Sequence, residues 1–211
     1  MAKSLVCVAA ILCLSASAFG KSAESETSAP DTEVKPAAEP KDEPESAVAE
    51  DEYGWDAGRV RLEGTAAGSW YSGRQQRGGD VSFRILVDYE IPVREHFTVG
   101  PRVMPFMFYN ENHAGDNDIY AFGIGFVLRG YVREDCRGFY GELGSMGIAQ
   151  TDKFEGNSGG CNFMEEIGIG YLFKSDWSLS LKAGHISNAG LADHNSGVNW
   201  GSLGVGYSFR R

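Results

Sequence analysis

The feature that most constrains this chain is its alternation. Residues 53–211 break into eight runs of alternating polarity, roughly 58–70, 81–91, 95–109, 118–132, 137–150, 161–173, 176–187 and 199–209. Clusters of Gly, Asn, Asp and Ser separate them. A period of two is the signature of a β-strand, whose successive side chains point to opposite faces. Each run is near or above the ~9–11 residues a tilted strand needs to cross a bilayer. No later window holds 18 consecutive apolar residues, so no transmembrane helix is expected there.

The polarity of the two faces sets the environment. In 81–91, Val81, Phe83, Ile85, Val87, Tyr89 and Ile91 oppose Ser82, Arg84, Leu86, Asp88 and Glu90. In 118–132, Tyr120, Phe122, Ile124, Phe126 and Leu128 oppose Ala121, Gly123 and Gly125. One face is continuously large and apolar; the other mixes charge with glycine. Charges of both signs on the second face (Arg59, Arg61, Glu63, Arg84, Asp88, Glu90, Arg102, Glu142, Glu166 and Lys182) can pair inside a narrow barrel. A soluble ligand barrel of lipocalin type requires the opposite polarity. The expected fold is all-β, an eight-stranded antiparallel outer-membrane β-barrel with lipid outside and paired charge within. An eight-stranded interior is filled by side chains, so no transport is expected.

Two segments precede the barrel. Lys3, the apolar run 4–18 and the small-residue sites Ala16-Ser17-Ala18 and Ala18-Phe19-Gly20 predict a signal peptide over residues 1–20. Neither Cys7 nor Cys13 follows the small residue that a lipoprotein cleavage site favours. Residues 21–52 hold eleven acids, three lysines, four of the seven prolines and no aromatic residue. Such a segment cannot bury enough apolar surface to offset its ordering entropy, and a disordered acidic leader is expected. It carries net −8 of the chain's −10, so acidity is a property of the leader. Cys136 and Cys161 remain for an oxidising compartment; their spacing leaves a disulfide and two free thiols both open.

Strand seven carries an anomaly. Leu179, Leu181, Ala183, His185 and Ser187 share its apolar face, so His185 and Ser187 point outward at the strand end. In strand eight, the lipid face of Leu203, Val205, Tyr207 and Phe209 carries back by parity to Asn199. The two strands are sequential and antiparallel, so Asn199 can meet His185 and Ser187 on one outward patch. A serine, a histidine and an asparagine that converge form a nucleophile, a base and an orienting group. Asn188 and the backbone near Ala189 and Gly190 can hold a developing oxyanion. A nucleophile facing lipid selects an acyl ester of a membrane lipid. From spacing alone, an interface-belt histidine beside a serine explains the pair as well.

The stretch "HISNAGLADHNSGVN" resembles the H-x-S-N-A signature and Asn-x-Gly turn of the lipid A 3-O-deacylase (PagL) family. "GGCNFMEEIGIGYLF" and "FYGELGSMG" are similar to that family's later strands. The resemblance covers about residues 54–211 and is specific over 182–199. It implies a bacterial outer-membrane serine esterase that removes the 3-O acyl chain of lipid A, modifying lipopolysaccharide without metal or cofactor. It makes Ser187 the nucleophile and His185 the base, with an oxyanion hole at Asn188, Ala189 and Gly190. Asn195 and Gly197 match the turn. The chain departs from the family at Asn199, where a glutamate is usual. An asparagine there resembles the Ser-His-Asn arrangement of outer-membrane phospholipase A. The alternatives are a phospholipase-type hydrolase and an inactive structural barrel. The reading leaves room for a homodimer.

Other polar residues have plainer roles. His96, His113 and His194 lie near strand ends or in loops, with no Cys or carboxylate at a metal-ligand spacing. No basic stripe suggests nucleic acid. Glu142 and Glu166 read as interior pairing residues. Glu165 falls on the apolar face of strand six, where an unpaired carboxylate is costly in hydrocarbon. A headgroup level or a protein contact accommodates it.

Overall fold

The computed structural model describes residues 58–70, 76–112 and 117–210. The expected signal peptide and acidic leader, and His113, lie outside them. Eight strands form the body: β1 (Arg59–Trp70), β2 (Val81–Arg94), β3 (Phe97–Glu111), β4 (Asn117–Tyr131), β5 (Gly138–Gln150), β6 (Cys161–Leu172), β7 (Trp177–Ser187) and β8 (Val198–Arg210). Each pairs antiparallel with its sequence neighbour, and β8 returns to β1 to close the barrel. Closure leaves no sheet edge unpaired, which a hydrocarbon surround demands.

Burial alternates along the described strands as the polarity predicts, except that the phase shifts in β3 at the Pro105–Phe106 bulge and Met146–Ile148 of β5 are all buried. In β2 the odd positions from Val81 are exposed or half-buried, while Ser82, Arg84, Leu86, Asp88 and Glu90 are buried. The outer wall is a band of Phe122, Ile124, Leu143, Ile167, Ile169, Leu181 and Leu203, all exposed. Exposed apolar area on this scale is stable only against lipid. One end of the barrel has short turns, residues 95–96, 132–137 and 173–176. The other has longer connections, including 151–160 and 188–197. Outer-membrane barrels keep short turns on the periplasmic side and long loops outside the cell.

The interior has two storeys. The lower one is the expected charge network. Arg102 donates to Asp88 at 2.7 and 2.8 Å and pairs with Glu142 and Glu166. Lys182 Nζ lies 2.8 Å from Glu63 and 2.7 Å from Glu142. All ten charges expected inside are buried. An eleventh, Arg129, was not among them; it is fully buried and reaches Glu142, Glu90 and Asp88. The upper storey corrects the picture of a uniformly polar lumen. Met104, Met107, Ile148, Met164, Ile186, Val198 and Trp200 form an apolar plug beneath the long loops. Arg84 divides the storeys, its guanidinium 3.7 Å from the Trp200 ring centroid.

Cys136 and Cys161 do not form a disulfide. Cys136 precedes β5 at the short-turn end, whereas Cys161 pairs with Ala149 near the far end of β5. A strand of that length separates them by roughly 40 Å at ~3.3 Å per residue, and a disulfide needs its Cα atoms within about 7 Å.

Candidate active site

The site lies on the outer wall near the long-loop rim. His185 and Asn199 are register partners between β7 and β8, and the His185 Nδ1 to Asn199 Oδ1 distance is 2.7 Å. Nδ1–H donates to the amide oxygen, which leaves Nε2 as the basic nitrogen. Ser187 follows one pleat along β7 on the same face. It makes no hydrogen bond to the ring among the described residues; such contacts in unliganded sites are often long and tighten with substrate.

Packing on the inner face fixes this register. Gly184 pairs with Trp200 immediately beside the His185–Asn199 pair. A Cβ on Gly184 would come 2.3 Å from the indole, so only glycine lets the buried ring lie against β7. The outward pair is thus held from behind.

The β7–β8 loop is built by its asparagines. The Asn188 N–H donates to Asn195 Oδ1 at 3.0 Å. Its buried side chain donates to Asn157 Oδ1 at 3.1 Å and to the His194 carbonyl at 2.7 Å, and accepts from the Gly190 N–H at 2.9 Å. The Asn188 amide and the Gly190 N–H are therefore engaged within the loop rather than turned toward an anion. Ala189 between them has φ +52°, a left-handed conformation uncommon for a residue with a Cβ. Such outliers concentrate at functional sites.

Gly197 belongs to the site more directly than a turn position implies. Its φ is +60°, and a Cβ there would lie 2.5 Å from His185 Cε1 and 2.9 Å from Nε2. Glycine keeps the ring's working edge clear. The Gly197 carbonyl accepts from Arg77 Nε at 3.0 Å, and the same guanidinium reaches the Glu155 carbonyl at 2.5 Å and Glu111 at 3.0 Å. Fully buried Arg77 thus ties three segments of the rim together. Sequence reasoning missed it; the only signal was an arginine beside Gly78 and Gly79 in a loop.

One lateral row crosses the outer wall at this level: Ser145 on β5, Glu165 on β6, His185 on β7, Asn199 on β8 and Trp70 on β1 are successive register partners. A groove of about 610 Å³ crosses β4–β7 at this level, lined by Phe126, Leu128, Leu143, Ile167 and Ala183 together with Glu165 and His185. No group of three or more His, Cys, Asp or Glu residues able to hold a metal occurs among the described residues. His96 caps the β4 end through the Tyr131 carbonyl, and His194 belongs to the loop frame.

A family model described as lipid A 3-O-deacylase (PagL) matches residues 82–208. The crystal structure of the outer membrane enzyme PagL superposes with a TM-score of 0.56 at 15% identity, covering 70% of this chain and 98% of that one. The N-terminal β-barrel domain of Pseudomonas aeruginosa OprF gives 0.46 at 13% identity, covering 72% and 98%. Neisserial surface protein A gives 0.46 at 14%, covering 72% and 97%. No curated protein matches the sequence.

Proposed function

The chain belongs to the lipid A 3-O-deacylase (PagL) family of the bacterial outer membrane, and from that premise we propose that it is a serine esterase releasing the 3-O acyl chain of lipid A. The observation that carries this reading is the 2.7 Å His185–Asn199 contact on the lipid face, one pleat from Ser187, at the long-loop rim. Lipid A occupies the leaflet at that rim.

The chemistry follows from the tautomer. Nε2 of His185 takes the Ser187 hydroxyl proton as Oγ bonds to the ester carbonyl carbon. The carbonyl π pair moves to oxygen, where the Ala189 N–H, the donor of this stretch not engaged by an asparagine, stabilises it. Collapse expels the sugar alkoxide, which takes the proton from Nε2. Water repeats the sequence on the acyl-enzyme and frees the carboxylate. The apolar groove beside His185 suits the acyl chain, which is already in hydrocarbon there, so the groove contributes shape and packing rather than a transfer out of water. In this reading Asn188, Asn195 and Gly197 shape the loop. Residues 1–20 serve as the signal peptide and 21–52 as the acidic leader.

Asn199 favours one second reading, a phospholipase-type specificity. Mass spectrometry of lipid A and phospholipids after incubation with the detergent-purified protein separates the two. Loss of one acyl mass from lipid A by the wild type, absent with Ser187→Ala and His185→Ala, is expected. Loss from phospholipid instead identifies the second reading, and no loss from either identifies an inactive barrel.

A further inference from the structure

Glu165 is an exposed carboxylate on the lipid face of β6. Hydrocarbon disfavours such a group unless something nearby compensates it. No arginine or lysine forms an ion pair with it among the described residues. Its one hydrogen-bond partner among the described residues is Ser145, whose Oγ donates to Oε1 at 2.8 Å. That bond leaves one carboxylate oxygen uncommitted. Across the ladder, the residue directly opposite Glu165 is His185. Directly opposite residues on one face have Cβ atoms ~4.5–5.5 Å apart, within reach of a glutamate and an imidazole.

His185 is therefore flanked on both sides. Asn199 on β8 supplies an acceptor and no charge. Glu165 on β6 stands on the opposite side, with no ion pair to the ring in this conformation. The imidazolium formed when Ser187 gives up its proton has no other carboxylate on the outward faces of β6, β7 and β8, since Glu166 turns inward and is buried. Asp193 lies in the loop beyond Ser187.

We propose that Glu165 is a positioning residue that acts through His185: its carboxylate, steered by Ser145, stabilises the imidazolium that neutral Asn199 orients but does not neutralise. The division of labour splits the third member of the triad between two strands. This rests on the esterase reading above. The proton balance is unchanged: Ser187 Oγ–H gives its proton to Nε2, Glu165 stays ionised throughout, and the leaving alkoxide recovers the proton. Glu165 takes no part in bond making.

The test measures acyl release from detergent-dispersed lipid A, with fluorophosphonate labelling of Ser187 as a readout independent of lipid binding. Folding of each variant is checked by the gel-mobility shift on heating. Glu165→Gln is expected to lower kcat ten- to a hundredfold with KM within about twofold, and to slow labelling in parallel. Glu165→Asp should recover part of both. In an Asn199→Glu background, where charge returns from the other side, the same Glu165→Gln step should cost less than threefold. A structural role for Glu165 gives no such rescue. Wild-type kcat in Glu165→Gln, a change confined to KM, or an equal loss in both backgrounds overturns the inference. Full activity in Ser187→Ala, or a wild type neither active nor labelled, overturns the esterase reading itself and is recognised by that arm.

Discussion

Asn199 Oδ1 lies 2.7 Å from His185 Nδ1 across the β7–β8 ladder, with no charge on the acceptor. The third member of a triad both holds the base in one tautomer and stabilises its protonated form. An amide oxygen performs the first task alone. Asn199→Ala should lower the rate of acyl release by about one to two powers of ten, the ~1–3 kcal/mol scale of a hydrogen bond to a charged group. Asn199→Glu should hold the rate at or above that of the wild type. The measurement is acyl release from detergent-dispersed lipid A across pH 5–9. An alanine variant as fast as the wild type would remove Asn199 from the site.

Gly197→Ala tests the ring's surroundings. The new Cβ would sit 2.5 Å from His185 Cε1, on backbone with φ +60° that an L side chain adopts only under strain. His185 must then turn away from Asn199. Activity should fall by more than tenfold while the heat-dependent mobility of the barrel is kept, because the loop lies outside the strand ladders. Normal acyl release from this variant would show that the ring has another working position.

Most of the fold was legible because one physical rule, period-two burial in lipid, acts on every strand. The expected run 161–173 and the observed β6, Cys161–Leu172, differ by one residue. Parity likewise placed His185, Ser187 and Asn199 on one face before any geometry was known. What parity cannot carry is lateral register. The pairing of Glu165 with His185 depends on how β6 slides against β7, and that is set by packing such as Phe163 opposite Ser187. Nor can it reach side-chain bonding inside a loop. The engagement of Asn188 by Asn157 joins residues 31 apart in two different connections. Arg129 was missed for a smaller reason: it lies beyond the Ala121, Gly123 and Gly125 series used to define the inner face of its strand.

The cysteines should differ in reactivity and never pair within one chain. Burial pushes the Cys136 thiol up, away from the reactive thiolate form. Cys161 is half-buried at the opposite rim. In the folded protein at pH 7.5, maleimide should modify Cys161 well before Cys136, which should react only after denaturation. Mass spectrometry of tryptic peptides reads the order. A Cys136–Cys161 linked peptide from monomeric protein would contradict the strand placement.

The last prediction concerns the sign of charge in the lower storey. Its buried cations are Arg59, Arg61, Arg84, Arg102, Arg129 and Lys182, and its buried acids are Glu63, Asp88, Glu90, Glu142 and Glu166, six against five. Glu142 is shared by Arg102, Arg129 and Lys182. Removing it leaves six cations facing four acids in a space closed to water, and breaking a buried pair on one side costs about 3–5 kcal/mol. Removing Arg102 brings the count to five against five, and each acid it served keeps another cation: Asp88 and Glu142 keep Arg129, and Glu166 keeps Arg84 and Lys182. Glu142→Leu should therefore destabilise the barrel more than Arg102→Met, although arginine is the larger group to delete. The comparison is the urea midpoint of the heat-modifiable band, with the site on the outer wall unchanged in sequence. An Arg102→Met midpoint below that of Glu142→Leu would show that the local bidentate contact to Asp88, and not the balance of charge, governs the interior.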